Sequence, residues 1–257
     1  MKLSLVIPIL NSHEIVRRQL LHWDHIGLTT DADDPPAEVI LVDDGSDPPI
    51  EEFTKGLPGL GRNLRILATH DYRPWTWALA RNFGAKHAQG DYLLMVDLDY
   101  ILPRIAIDTA LAFTGDKLRF KREFGVLDEN GIFTQDFATL NAYGLPWERI
   151  NEKGARMPPH PNNFCMRRKL YLEMGGFRED RIGTIYPQGE DRHFKRKWIQ
   201  FVESGKARES EADDRPTIFM FPNGQFCGDV DHNPFGLFHT LSRKNDFNPA
   251  HKKLMSK

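Results

Sequence analysis

Short apolar runs, separated by segments of helical spacing, fill the first hundred residues of the chain. The runs are almost wholly apolar, so each is expected to form a strand that is covered on both faces. Strands that alternate with helices predict a mostly parallel sheet flanked by helices, in a Rossmann-like α/β fold. The predicted strands cover residues 3–9, 39–42, 65–68 and 92–96, and the clearest predicted helix covers residues 77–88.

Pairs of aspartates end two of these apolar runs. Asp97 and Asp99 follow one run, and because strand side chains alternate between faces, both carboxylates are expected on one side. Asp43 and Asp44 follow another run, and ligands bind at the carboxyl ends of strands in such sheets. Carboxylate oxygens suit Mg²⁺ or Mn²⁺, which keep some waters and bind phosphates. An isolated Asp-x-Asp equally fits a helix cap beside a solvated carboxylate, so other motifs must decide.

Composition limits the class of protein. The 257 residues are 40% hydrophobic, enough for a substantial core in one domain, and the net charge of −2 gives no global nucleic-acid or membrane signature. The two cysteines, Cys165 and Cys227, predict a reducing compartment rather than a disulfide framework. The N-terminal apolar run is too short to span a bilayer and lacks a signal-peptide cleavage site. We therefore expect a cytoplasmic protein with no membrane span.

The pattern changes beyond about residue 103, where short predicted strands and helices follow one another irregularly. We expect one continuous domain, with a nucleotide-binding half at residues 1–102 and a variable half at residues 103–257. The predicted elements of the second half are helices at residues 105–113, 168–174 and 190–203, short strands within residues 117–143, and a strand at residues 218–221.

Four sequence blocks, taken in order, resemble the family 2-like glycosyltransferases with the GT-A fold. They read LSLVIPILNS, VILVDDGSDP, ARNFGAKHAQGDYLLMVDLD and NNFCMRRKLYLEMGGFRED, the last followed by GED. Each block alone is a weak signal, whereas four in the family's order and spacing are specific. The resemblance implies an inverting, metal-dependent enzyme that moves a sugar from a nucleotide-diphosphate sugar, most commonly a UDP-sugar, to an acceptor hydroxyl. The implied acceptor is a glycan, a small molecule or another soluble molecule.

The resemblance assigns residues of the first half to the donor. Pro8 and Leu10 are expected to line the base pocket, Asp44 to bind the base or ribose, and Arg81 to contact the base and diphosphate. Asp97 is assigned to hydroxyls of the donor ribose or sugar. Arg81 suits contact with the base and the diphosphate because a guanidinium both stacks on rings and forms forked hydrogen bonds to phosphate. Taken alone, Asp44 equally fits a turn and Arg81 an exposed helix position.

The metal site implied by the resemblance is centred on Asp99, which is expected to contact Mn²⁺ or Mg²⁺ directly. Such a cation stabilises the negative charge that develops on the leaving diphosphate. A C-terminal histidine often supplies a third ligand in this family. His239 in GLFHTLSR is the candidate here, with His232 in DVDHNP as the alternative. A lone histidine equally fits a structural or solvated position.

The resemblance makes Asp191 the base that accepts the proton of the acceptor hydroxyl, with Glu190 placing the acceptor. Both acids begin a predicted helix, where the dipole favours carboxylates whether or not they catalyse.

Other classes of protein are also considered. A transferase acting on hydroxymethylated bases of DNA, as some viruses use, is kept open by basic clusters at residues 117–122 and 192–197. A sugar-nucleotide-binding protein without activity would not need the Glu190-Asp191 pair. An oxidoreductase is disfavoured because Pro8 to Ser12, after the first strand, contains no glycine. The sequence leaves the donor sugar, the acceptor and the oligomeric state open.

Overall fold

The computed structural model describes residues 1–71, 73, 76–142, 159–180, 190–208 and 215–221. The strands are β1 (Leu3–Ile9), β2 (Ala37–Asp43), β3 (Leu64–Ala68), β4 (Tyr92–Met95), β5 (Tyr100–Ile101), β6 (Lys117–Arg119), β7 (Lys121–Phe124), β8 (Val126–Leu127), β9 (Phe133–Thr134), β10 (Phe164–Arg167) and β11 (Thr217–Met220). The helices are α1 (His13–His25), α2 (Ile50–Phe53), α3 (Trp77–His87), α4 (Arg104–Ala112), α5 (Phe137–Ala142), α6 (Arg168–Glu173) and α7 (Glu190–Glu203).

A six-stranded sheet in the order β3-β2-β1-β4-β10-β6 forms the centre of the fold. Strands β3, β2, β1 and β4 are parallel, whereas β10 runs antiparallel to both β4 and β6. Every residue of β1 and β2 is buried, as expected for strands covered on both faces. The predicted α/β class with a mostly parallel sheet flanked by helices is confirmed.

Two apolar layers cover the two faces of this sheet. Leu5 and Ile7 of β1 pack into one layer with α1, while Val6 faces the other layer with α3. Helix α3 lies very close to the sheet at Gly84, where an added Cβ would stand 2.4 Å from a methyl group of Val6. Arg81 is three residues earlier on the same face of α3, so this close packing directs it toward the sheet.

A second sheet of three strands, in the order β5-β11-β7, follows the first aspartate motif. Strand β11 is shifted by one residue from the final strand that the sequence predicts, at residues 218–221. The predicted basic cluster at residues 117–122 lies in and between β6 and β7, where the Lys117 and Arg122 side chains are buried. The Lys117 ammonium stands 4.9 Å from the ring centre of Trp198. Two of the four cations of this cluster therefore point into the core and are not available to an acceptor, whereas Arg119 and Lys121 are half-buried.

Within the part of the chain that the structure describes, no helix is both long enough and apolar enough to cross a membrane.

Candidate active site

The turn that carries Asp97 and Asp99 leaves the carboxyl end of β4, at the centre of the sheet. The Asp97 backbone N–H donates to the Asn163 side-chain oxygen at 3.0 Å. The Tyr100 N–H donates to the Asp97 carbonyl, and the Phe221 N–H donates to the Asp99 carbonyl. Contacts from three different parts of the chain therefore fix the direction in which these carboxylates leave the sheet.

Arg81 lies buried behind this turn, with 3% of the residue exposed. Its Nη2 donates to Asp97 Oδ1 at 2.5 Å, and its Nη1 donates to Glu190 Oε1 at 3.4 Å. The rings of Phe177 and Trp77 flank the guanidinium, with centroids 5.1 and 5.8 Å from Cζ. Burial lowers the pKa of Arg81, but the charges of Asp97 and Glu190 outweigh burial and raise it. The guanidinium is thus held charged between two carboxylates.

Asp99 is only partly exposed, and its neighbour is another carboxylate. Burial and the charge of Asp97 raise the pKa of Asp99 to about 7, while Arg122 and Arg81 offset this only in part. A divalent cation would favour the charged form of such a group, and carboxylate oxygens are hard ligands of the kind that Mg²⁺ and Mn²⁺ prefer. The residues at this position therefore fit the metal that the resemblance implies.

Protein ligands alone do not complete a metal site in the described residues, where no three histidine, cysteine, aspartate or glutamate side chains are grouped to hold an ion. His239 and His232, the predicted third ligands, lie outside the described residues, so their role stays a prediction.

The sequence-based prediction missed His160, which lies in the segment directly before β10. Its Nδ1 is 3.9 Å from Asp97 Oδ2, and its Nε2 is 3.7 Å from Asp191 Oδ2. The pairing of β10 with β4 explains why His160 lies here. Because β10 is antiparallel to β4, with Phe164 opposite Met95, residues just before β10 must lie at the carboxyl end of β4.

Asp97 and the four side chains around it form a ring, which the backbone between Glu190 and Asp191 closes. Arg81 connects Asp97 to Glu190, and His160 stands between Asp97 and Asp191. The ring joins the aspartate motif at the end of β4 to the acidic pair that begins α7. The structure therefore brings together the predicted residues Asp97, Glu190 and Asp191, which are far apart in sequence.

Asp43 and Asp44 have separate roles after β2. Asp43 accepts hydrogen bonds from backbone N–H groups of the following loop, including that of Ser46 at 2.8 Å, and so shapes the turn. Asp44 is fully buried. Its two oxygens accept hydrogen bonds from the hydroxyls of Thr69 at 3.1 Å and Thr76 at 2.5 Å. The turn alternative therefore applies to Asp43, whereas Asp44 fixes two hydroxyl groups beside the strand end.

Pro8 and Leu10, the predicted base-pocket residues, are buried at the carboxyl end of β1. Strand β1 lies between β2 and β4 in the sheet. The two residues therefore lie at the same edge as Asp44 and Asp97, as the parallel arrangement predicts.

Asn82 ties the loop before α7 to α3, directly beside Arg81. Its side-chain oxygen accepts from the Tyr171 hydroxyl at 2.6 Å and the Phe177 N–H at 3.0 Å, while its amide donates to the Phe177 carbonyl at 2.8 Å. At Gly176 an added Cβ would stand 2.2 Å from the Asn82 oxygen, so only glycine fits. This contact holds the Phe177 ring against the Arg81 guanidinium.

Helix α7 has a buried stripe and an exposed basic face. Phe194 and Trp198 are buried, whereas Arg192, Lys195 and Arg196 are exposed. The exposed cations begin one residue after Asp191, on the helix that the acidic pair opens.

Comparison with known proteins agrees with this architecture. Residues 4–115 match the family model described as Glycosyl transferase family 2. The structure of S. aureus TarS 1–349 in complex with UDP is 20% identical to this chain, with a TM-score of 0.53, over 90% of this chain and 63% of that one. The structure of S. aureus TarS is 20% identical to this chain, with a TM-score of 0.55, over 90% of this chain and 38% of that one. The structure of S. aureus TarS 1–349 in complex with UDP-GlcNAc is 18% identical to this chain, with a TM-score of 0.51, over 87% of this chain and 59% of that one.

The solved structures show the fold, and the family model matches less than half of the chain. The fold is that of the GT-A glycosyltransferases. The resemblance to the family 2-like glycosyltransferases is confirmed through the family match at residues 4–115. The chain covers less than two thirds of the length of the TarS structures it matches. No curated protein matches the chain.

Proposed function

We propose that this protein is an inverting glycosyltransferase that moves a sugar from a nucleotide-diphosphate sugar to an acceptor hydroxyl, with Mn²⁺ or Mg²⁺ as cofactor. One observation carries the proposal: the ring that joins Asp97 to Glu190 and Asp191 at the carboxyl edge of a GT-A sheet. The fold match to TarS, which was solved with UDP and with UDP-GlcNAc, supports a UDP-sugar as donor.

The donor is assigned to residues 1–102 and the acceptor to residues 103–257. Pro8 and Leu10 would contact the base at the end of β1. Asp44 is fully buried, so its contribution would be to fix the Thr69 and Thr76 hydroxyls on the nucleoside side. A cytoplasmic location is also part of the proposal, and the buried free thiol of Cys165 fits a reducing compartment.

Arg81 would act on the donor through Asp97 rather than by direct contact with the diphosphate. Its guanidinium already makes a hydrogen bond to Asp97 and another to Glu190, and the residue is almost fully buried. Asp97 Oδ1 is therefore held in one direction, and the partly exposed carboxylate can accept hydrogen bonds from donor hydroxyls. The placement of the sugar would follow from this fixed carboxylate.

Asp99 would hold the divalent cation, with His239 or His232 as the proposed histidine ligand. When bound, the cation supplies Lewis-acid stabilisation of the charge on the departing diphosphate oxygen. The raised pKa of Asp99 supports this assignment, since burial beside Asp97 leaves a carboxylate that a cation would stabilise.

Asp191 would act as the base. Its side chain is 36% exposed at the first turn of α7, so an acceptor can reach it. The acceptor oxygen attacks the anomeric carbon on the side opposite the nucleoside diphosphate, the bond to the diphosphate breaks, and the hydroxyl proton moves to the Asp191 carboxylate. Glu190, held by Arg81, would place the acceptor.

A thermal-shift screen of nucleoside diphosphates and sugar nucleotides, each with and without Mn²⁺, tests the proposal. A ligand that binds only the folded state raises the melting temperature by mass action, by several degrees at concentrations about 100 times the dissociation constant. We expect such a shift for one nucleotide, enlarged by Mn²⁺. A flat response to every nucleotide with and without metal would contradict the proposal.

A second candidate function, transfer to hydroxymethylated bases of DNA, is favoured by the exposed cations beside Asp191. Arg192, Lys195 and Arg196 would contact phosphates of the acceptor. The test is transfer of labelled sugar to an oligonucleotide that contains hydroxymethylcytosine, with the unmodified oligonucleotide as control. Labelling of only the modified strand, weakened by added salt, would support this acceptor, and no labelling of either strand would exclude it.

A further inference from the structure

His160 lies between the carboxylate expected to face the donor and the carboxylate expected to act as base. Its imidazole is 31% exposed, with one ring nitrogen 3.9 Å from Asp97 and the other 3.7 Å from Asp191. Neither separation is a direct hydrogen bond, since both exceed 3.5 Å. The ring is therefore near both acids but tied to neither.

The position of the ring proton follows from a backbone contact. The Asn162 N–H donates to His160 Nδ1 at 3.3 Å, so Nδ1 carries the lone pair and Nε2 carries the proton. Burial lowers the pKa of His160, although Asp97 and Asp191 oppose this, which favours the neutral form of the imidazole. In the neutral ring, the nitrogen that carries the proton is the one 3.7 Å from Asp191 Oδ2.

The segment that carries His160 is attached to the aspartate turn. The Asn163 N–H donates to the His160 carbonyl at 3.2 Å, and the Asn163 side chain accepts from the Asp97 N–H. Asn163 is 1% exposed, so these contacts are shielded from water. Asn163 therefore holds the backbone of His160 next to the aspartate turn.

We propose that His160 is a positioning residue, whose Nε2–H holds one oxygen of Asp191 so that the other faces the acceptor hydroxyl. This inference rests on the function proposed above. A neutral donor suits the task, because it orients the carboxylate without neutralising it, and so leaves Asp191 basic. This role requires the gap of 3.7 Å to shorten to a hydrogen bond when donor and acceptor bind.

Three substitutions separate the two nitrogens of the ring. His160→Gln places an amide N–H near the position of Nε2, His160→Asn places one near Nδ1, and His160→Phe keeps the ring shape without either nitrogen. We expect His160→Phe and His160→Asn to lower kcat for the sugar nucleotide identified by the thermal-shift screen by about 10²-fold, as a misplaced catalytic group does. His160→Gln should recover at least a tenth of the wild-type kcat. The dissociation constant for the nucleoside diphosphate with Mn²⁺, measured by calorimetry, should change less than about threefold.

Each outcome has one meaning. Rescue by His160→Asn rather than His160→Gln would place the role at Nδ1 and overturn the inference. A loss confined to donor affinity would also overturn it, because Nδ1 is the nitrogen near Asp97, the carboxylate assigned to the donor. Wild-type kcat in His160→Phe would also overturn it. His25→Gln, on the exposed end of α1, is the matched control and should leave both constants unchanged. Failure of the wild-type protein to bind any sugar nucleotide would instead reject the proposed function.

Discussion

Arg81 sets the charge balance of the candidate active site. It is a buried guanidinium that contacts one carboxylate of the aspartate motif and one of the acidic pair. Removal of one partner from a buried ion pair is costly because the remaining charges lose their compensation in a poorly solvated place. The stability of this region is therefore expected to depend on Arg81, for which the sequence indicated a donor contact or an exposed helix position but no structural role.

Replacement of Arg81 by alanine is expected to lower the free energy of unfolding by about 3–5 kcal/mol, the usual cost of leaving a buried charge unpaired. Urea denaturation measures the change. Arg62→Ala is the control, since Arg62 is 69% exposed and pairs with an exposed Asp33, and should cost less than about 1 kcal/mol. Equal losses in the free energy of unfolding for the two substitutions would contradict a stabilising role of the Arg81 ion pairs.

Asp99→Asn is expected to abolish the increase in melting temperature that Mn²⁺ gives in the presence of the nucleoside diphosphate. The amide keeps the shape of the side chain but loses the charge that a hard cation requires. Thermal shift with a manganese titration measures this, and Asp108→Asn, on the exposed face of α4, serves as the control. A wild-type response to Mn²⁺ in Asp99→Asn would move the metal to other ligands.

At the scale of residues, the sequence indicated the acids but not the groups between them. Asp97, Asp99, Glu190 and Asp191 stand in short motifs, so their chemistry is visible in the letters alone. His160 lies in a Pro-rich segment with no motif, and its nearness to Asp97 and Asp191 depends on strand pairing between distant parts of the chain. Side-chain contacts of that kind cannot be predicted from periodicity.

At the scale of elements, β10 determines which residues meet. Strands β1 to β4 were predicted because buried parallel strands are nearly uniform in hydrophobicity, and α3 and α7 because their buried faces have helical spacing. The antiparallel insertion of β10 between β4 and β6 has no local signal, since strand order is set by pairing across long sequence separations. That insertion places the segment before β10 beside the aspartate turn.

Helix α1 contributes a buried histidine, His22, that makes stability depend on pH. Burial lowers the pKa of His22, and a hydrogen bond to the Leu102 carbonyl opposes this only in part. Below about pH 6.5 the unfolded chain binds a proton at His22 before the folded protein does, so stability falls as the pH falls. Between pH 7 and 5, His22→Gln should therefore lose less stability than the wild type in urea denaturation. His87→Gln, on the exposed end of α3, should follow the wild type, and parallel curves for all three proteins would contradict the prediction.

At the scale of the whole molecule, the two halves of the sequence meet in one ring of side chains. The family match covers residues 4–115, whereas His160, Glu190 and Asp191 come from beyond it. The halves are joined by the central sheet, because β6 and β10 extend the sheet that β1 to β4 begin. Under the proposed function, the donor would bind at strand ends of the first half, and a helix from the second half would present Asp191 as the base.

Comparison of Asp191→Asn with the wild type tests most directly whether the first half binds the donor while Asp191 of the second half acts as the base. Calorimetry should give the same dissociation constant, within about threefold, for the sugar nucleotide with Mn²⁺, because Asp191 is assigned no donor contact. Release of nucleoside diphosphate should fall by about 10²- to 10⁴-fold, the usual contribution of a general base. Wild-type turnover in Asp191→Asn would contradict the assignment of the base, and an equal loss of donor binding would contradict the separation of the two halves.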